Sequence, residues 1–388
     1  AKWFCDDIWK ASFTFNNYAS DYNYKIPEGL EIQNFRDAIE TIPPVDSPLI
    51  FGLHPNADLT YRLKEAPEMI ATIIETQPKD SGGGGGKSMD EIVKDLCTEL
   101  LEKLPPDFVE EIFRAQIVKL KGPPNTPDKG FGAPLNIFLF QELQRLQIII
   151  SIVRTNLNNI YNAIDGTVVM TTELMSDLNF LFDARVPIGW TNDASGQEIS
   201  WLMPNLGGWF TGLTERYAML NNWLENGRSV MKAYWLTGFT NAQGFLTGMR
   251  QEVTRQNKKS QWALDDVISH TEVLAVDMER VRDVPDEGQN IWGLFVEGGR
   301  WSRQDSRLEE AEPKKLFMPM PAIFVTATTV RDLKGMGINY GPNGPYNAAV
   351  YKYPKRNDRY LIFRLMLKTE VHPYHWKLRG VCLVAQTD

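Results

Sequence analysis

The sequence is short of the residues that usually announce a chemistry. Its 388 residues include only three cysteines (Cys5, Cys97 and Cys382) and four histidines. Thiols odd in number and far apart make no disulfide framework, and they suit the reduced interior of a cell. No apolar run approaches the roughly 20 residues needed to cross a bilayer, which argues against a membrane partner. The longest, Gln147 to Val153, sits inside a helical pattern. The start, Ala1-Lys2-Trp3-Phe4-Cys5, lacks the basic region and apolar core of a secretory signal. It opens on aromatic, core-like residues and reads as a piece of a longer polypeptide. Basic charge is also scarce, with 41 Lys and Arg against 49 Asp and Glu, a net charge of −8. Nucleic acid demands a concentrated basic face, so it is not an expected partner. The basic cluster from Lys352 to Arg359 lies beside a turn and reads as a solvated rim.

What is present is the composition of a globular protein, 43% hydrophobic and 23% charged. The length exceeds one ordinary core, so two or three domains are expected. Phe35, Ile39 and Ile42 suggest a helix ended by Pro43-Pro44. In the loop that follows, Pro55 pushes His54 towards an extended backbone, and Asn56 and Asp58 can cap a helix. Met69, Ile70, Ile73 and Ile74 recur at helical spacing. The five glycines Gly82 to Gly86 mark a linker and a domain boundary. Ser88 and Glu91 then have capping-box spacing, and Ile92, Val93, Leu96, Leu100 and Leu104 carry an apolar face to Pro105. Phe108 to Leu120 predicts a shorter helix.

The clearest periodicity follows. Leu139, Leu143, Leu146, Ile150, Val153, Leu157, Ile160 and Ile164 alternate steps of four and three, and Gly166 supplies a stop. Burying eight such side chains gains on the order of 10–20 kcal/mol before conformational entropy is charged against it. The stripe is therefore read as core; a dimerising coiled coil is the alternative. From Trp190 to Trp262 the sequence is rich in tryptophan and glycine, with a helix from Trp209 to Leu224. After about Thr271 short β-rich runs take over: Trp292 to Val296, Ala322 to Thr326, Ala349 to Tyr353, Tyr360 to Lys368 and Leu378 to Val384. The fold class is α+β, helices followed by a small antiparallel barrel or closed sheet.

Several signals look chemical and also have plainer readings. Gly82 to Ser88 ends like a phosphate-binding loop, but Ser81 stands where that pattern needs glycine, and the residues before it are helically spaced. A linker before a capped helix explains the same residues. His372 and His375 have metal-compatible spacing, yet Pro373 lies between them and no zinc pattern is completed. They read as a polar turn entering the last strand. His54 has no paired nucleophile and reads as a structural residue; His270 reads as a helix end. Asp265-Asp266 and Glu309-Glu310-Glu312 could be paired carboxylates, but acid runs near turns are ordinarily solvated surface. Trp201, Trp209, Trp223, Trp235 and Trp262 could build an interface or a core, and core is preferred. No catalytic, cofactor or metal residue is predicted.

Four stretches carry a family resemblance: Phe51-Gly52-Leu53-His54-Pro55-Asn56-Ala57-Asp58, Gln77-Pro78-Lys79-Asp80, Asn241-Ala242-Gln243-Gly244-Phe245-Leu246 and Trp376-Lys377-Leu378-Arg379-Gly380-Val381. In this order, across nearly the whole sequence, they resemble the C-terminal end of a dynein heavy chain, most of all an axonemal outer-arm chain of the gamma type. The resemblance implies that residues 1–84 are the small, lid part of a sixth AAA+ module that binds no nucleotide. Residues 88–270 would be the helical part of the C-terminal domain, and 271–388 a six-stranded β-barrel. It implies a non-catalytic brace across a motor ring, with other AAA+ modules of the same heavy chain as partners. Mg-ATP, microtubule and dynein subunits would be engaged by the parent protein, in the cytoskeleton of a cilium or flagellum. Two departures stand out: Ser229-Val230-Met231 where relatives often carry proline, and a longer loop from Gly335 to Pro345. The competing readings are a nucleotide-binding protein using Gly82 to Ser88 and a helical dimerising adaptor through residues 139–164.

Overall fold

The apolar stripe dictates the centre of the molecule. In the computed structural model, which describes residues 31–40, 54–76, 87–203, 205–257, 262–335 and 344–387, helix α5 runs Pro134–Ile164. Its 31 residues span about 46 Å at 1.5 Å per residue. Pro134 at the first turn has no N–H to leave orphaned, and Gly166, at φ +75°, turns the backbone out with its N–H on Ala163 O. Leu139, Leu143, Leu146, Ile150, Val153, Leu157 and Ile160 are all buried, and Ile164 is half-buried. What buries them is a ring of helices: α3 (Met89–Lys103), α4 (Glu110–Lys119), α6 (Thr172–Phe182), α7 (Leu206–Asn226) and α8 (Ala242–Gln256) each touch α5. The stripe is thus spent inside the molecule and offers no seam for a second copy.

Local signals set the ends of these helices. Ser88 and Glu91 form a reciprocal capping box, with Glu91 N–H on Ser88 Oγ at 3.3 Å and Ser88 N–H on Glu91 Oε2 at 2.8 Å. Thr171, Asn205 and Asn241 cap α6, α7 and α8 one way, each side chain accepting a main-chain N–H of the first turn. Two further helices, α1 (Ile32–Glu40) and α2 (Asn56–Thr76), precede the ring. Phe51 to Leu53, Gln77 to Asp80 and the glycine run lie outside the described residues, as does most of the Gly335 to Pro345 loop.

The strands differ from the sequence expectation in detail. β1 (Tyr234–Trp235), β3 (Gln289–Trp292), β8 (Ile323–Thr329) and β2 (Val267–Val273) make one sheet in that order. β10 (Leu361–Leu367), β9 (Tyr346–Tyr351), β11 (Cys382–Val384), β4 (Phe295–Glu297) and β7 (Phe317–Pro319) make a second, and β5 (Gly299–Ser302) pairs with β6 (Arg307–Glu310). These are open sheets and not a closed barrel. They are also mixed, since β1–β3 and β9–β11 pair in parallel. The physical reason for the opening is visible between β2 and β10, where Met366 N–H is met by the Thr271 hydroxyl at 3.1 Å instead of a backbone carbonyl. The predicted run from Trp292 to Val296 is broken in two by Gly293, at φ +93°. β2 begins at Val267 and crosses residue 270, so His270 sits in a strand, opposite Thr326, and not at a helix end.

The segment before the last strand is also different from the expected turn. Residues Pro373–Leu378 form helix α10, which follows α9 (Val330–Gly335). Trp376 is buried on its inner side, and Gly380, at φ +65°, turns the backbone into β11. Because α5 is the hub of the helical layer, Leu143→Ala should lower stability by about 2–5 kcal/mol. Urea unfolding followed by circular dichroism measures this, with the variant still sedimenting as the unaltered protein does.

Candidate functional site

Three buried polar constructions join the segments of the molecule. The first is at the start of α2. His54 is half-buried and Asn56 is buried. The Asn56 side chain spans the strap between β6 and β7: Nδ2 donates to Glu312 O at 3.1 Å and Lys315 O at 2.8 Å, while Oδ1 accepts Lys314 N–H at 2.8 Å. His54 Nε2 lies 3.3 Å from Ala311 O, and Asn56 N–H points at His54 Nδ1 at 3.1 Å. Pro55 is exposed, and Asp58 accepts from Arg62 one turn on at 2.8 Å. The loop motif therefore fastens the start of α2 to the strap.

The second construction couples α5 and α8, which run antiparallel. Glu252 of α8 accepts Leu135 N–H, an orphan donor of the first turn of α5, at 2.9 Å. It also holds Arg228 in a bidentate pair at 2.6 and 2.9 Å. In return, Glu142 of α5 accepts Thr240 N–H at 2.7 Å, Thr240 Oγ1 at 2.7 Å and Asn241 N–H at 3.2 Å, ahead of α8. Arg145 donates to Glu142 at 2.8 Å. Each helix supplies the carboxylate that satisfies the other's N-terminal end. Asn241, Phe245 and Leu246 of the family stretch sit here as cap and core.

The third joins the helical layer to the first sheet. Trp190, Trp209 and Trp201 stack with centroids 5.1 and 5.0 Å apart. The buried Arg216 guanidinium lies 3.8 Å from the Trp201 ring and 4.7 Å from Trp235, which stacks on Trp292 at 5.8 Å. Arg216 donates to Gly212 O at 2.9 Å and Thr237 O at 3.0 Å. Burial brings its pKa down to about 9. Gly212 must be glycine, since a Cβ there would sit 2.7 Å from Arg216 Nη1. The tryptophans thus serve as core: Trp223 is also buried, and Trp262 is half-buried.

The remaining chemical suspects are dispersed. His372 caps α10 by accepting Tyr374 N–H at 3.1 Å, whereas His375 points the other way, to Glu310 at 2.6 Å. Glu309 and Glu312 take Arg300, and Glu312 also takes Lys315. Asp265-Asp266 lie on an exposed turn. Lys87 pairs with Asp95. Burial pushes the Cys97 and Cys382 thiols up to about 12, so neither is a ready nucleophile. Among the described residues no cluster of His, Cys, Asp and Glu could hold a metal, and no helix is long and apolar enough to cross a membrane.

The family model for the C-terminal domain of dynein heavy chains matches residues 63–385. The chain belongs to that family. Dynein axonemal heavy chain 8 of Homo sapiens is 38% identical over 384 residues, 98% of this chain and 8% of that protein. Dynein axonemal heavy chain 5 of Mus musculus is 39% identical over the same share of this chain. The dynein gamma chain of the flagellar outer arm of Chlamydomonas reinhardtii is 38% identical over 392 residues, which takes in all of this chain. The chain spans about 8% of the length of these relatives.

The composition of the joints in this dynein domain predicts two outcomes. Glu252→Gln should cost about 3–5 kcal/mol, because it strands Arg228 in the interior without a counter-charge. Arg216→Ala should cost about 2–5 kcal/mol through the cavity it leaves. Arg216→Met should cost less, since it keeps the volume and removes the desolvated charge. Denaturant midpoints of the three variants, with unchanged slopes, check both expectations.

Proposed function

We propose that this domain is a non-catalytic structural and regulatory part of a dynein microtubule motor. In this reading it braces the AAA+ ring and modulates ATP-driven, minus-end-directed movement in a cilium or flagellum. The observation that carries it is the domain's polar economy. Its buried carboxylates and guanidiniums are committed to holding α5, α8 and the sheets together, leaving a stiff body suited to transmitting load. The names of the relatives, axonemal and flagellar dynein heavy chains, supply the setting. Mg-ATP, the microtubule and the other dynein subunits are then partners of the parent protein, and other AAA+ modules are the surfaces this domain braces.

In the same reading residues 1–84 are the lid part of the sixth module, 88–270 the helical part and 271–388 the sheet-rich end of the C-terminal domain. The two open sheets meet at Thr271 and Met366. Removal of residues 272–388 from the full motor should alter force or the coupling of ATP turnover to movement, with the first ATP site intact. Motility and ATPase measured on the same preparation test it, and unchanged values for both would reject the regulatory role.

A further inference from the structure

We propose that His54 and Asn56 form a proton-released latch that fixes helix α2 to the strap joining β6 and β7. The inference stands on this geometry and does not require the bracing role. Among the described residues, the hydrogen bonds tying α2 to the rest of the molecule come from His54 and Asn56 alone. Asn56 is fully used: both Nδ2 protons and Oδ1 meet main-chain groups of the strap. No other side chain has this pattern of two donors and one acceptor in so short a reach. Aspartate would keep the Lys314 bond but lose both donors.

The strap needs the fastening. Lys314 sits at φ +67°, a left-handed conformation that is unfavourable for a residue with a Cβ. The Lys314 N–H exposed by that conformation is the one that Asn56 Oδ1 accepts. A released strap therefore has a reason to relax away from α2.

The imidazole sets the condition for closure. A main-chain N–H can only donate and a main-chain carbonyl can only accept. Asn56 N–H on Nδ1 and Ala311 O near Nε2 therefore demand the neutral ring with its proton on Nε2. A second proton would fall on Nδ1, facing the Asn56 N–H. Among the described residues, the charged groups flanking these contacts are Asp58 and Arg62 on α2, Glu310 on β6, Glu312, Lys314 and Lys315 on the strap, and Arg300 on β5. Asp58 is paired with Arg62, Glu310 with His375, and Glu312 with Arg300 and Lys315. Each of these described carboxylates thus already has a partner in the closed state.

Hydrogen exchange of the 388-residue protein, read by mass spectrometry and corrected for the intrinsic pH dependence of exchange, tests the latch. At about pH 7.5, segments covering 308–320 should exchange at least about tenfold faster in Asn56→Ala and in Asn56→Asp, with 139–164 unchanged. Acidifying the unaltered protein from about pH 7.5 to about pH 5.5 should produce the same loosening. His54→Gln should abolish that response to pH. Undisturbed exchange of 308–320 in both Asn56 variants would overturn the fastening. A pH response surviving in His54→Gln would overturn the proton release.

Discussion

The reciprocal use of Glu142 and Glu252 is the constraint from which the rest of the architecture follows. Each carboxylate is buried, each sits on one of two antiparallel helices, and each satisfies main-chain donors at the start of the other. An isolated buried carboxylate would be prohibitive, so the arrangement exists only when α5 and α8 are in register. That register then fixes everything on either side. α5 presents its apolar stripe to α3, α4, α6 and α7, while α8 lies against β2 and β8. One helical layer and one sheet are thus placed relative to each other by two side chains. The Arg228 bond to Glu252 extends the same restraint to the turn after α7.

The aromatic column complements this joint with a different physics. Among the described residues Arg216, between Trp201 and Trp235, makes no ion pair, and its direct contacts are ring faces and two main-chain carbonyls. Such contacts tolerate small rotations better than a bidentate ion pair does. The helical layer is thus pinned rigidly at Glu252, which joins α5, α8 and the turn after α7, and it meets the first sheet through the more forgiving column at Arg216.

How much of this is legible in the sequence depends on how local the determining interaction is. The α5 stripe and the Ser88–Glu91 capping box are written within a few turns of backbone, and the observed elements agree with that reading. Glu142 and Glu252 are invisible there, because an acid within a helix normally faces water and only an orphan N–H from a distant helix makes burial favourable. The parallel pairs β1–β3 and β9–β11 join residues far apart in the sequence, which no run of alternating residues can announce. Helix α10 escapes for a different reason. Pro373 stands at the first helical position, a recognised start signal, but between His372 and His375 it reads first as an obstacle to metal binding. His54 is legible as a structural residue; Asn56 reads as a cap, but its side chain is spent on the strap, and the partners of both, some 250 residues downstream, leave no local trace.

That last pairing bears on how a remote segment can influence the sheets. Asn56 grips main-chain atoms of the strap and no side chain, so the strap's own residues are free to vary without weakening the hold, provided the backbone keeps its path. The specificity lies wholly on the α2 side, in one amide and one imidazole. The β5–β6 hairpin end of the strap is reinforced by Arg300 with Glu309 and Glu312, and its far end enters β7, which pairs with β4. The strap that Asn56 grips leads into β7, which pairs with β4, and β4 pairs with β11 at the middle of the second sheet. The Asn56 fastening is thus joined to the second sheet and the Arg216 column, through Trp235 of β1, to the first.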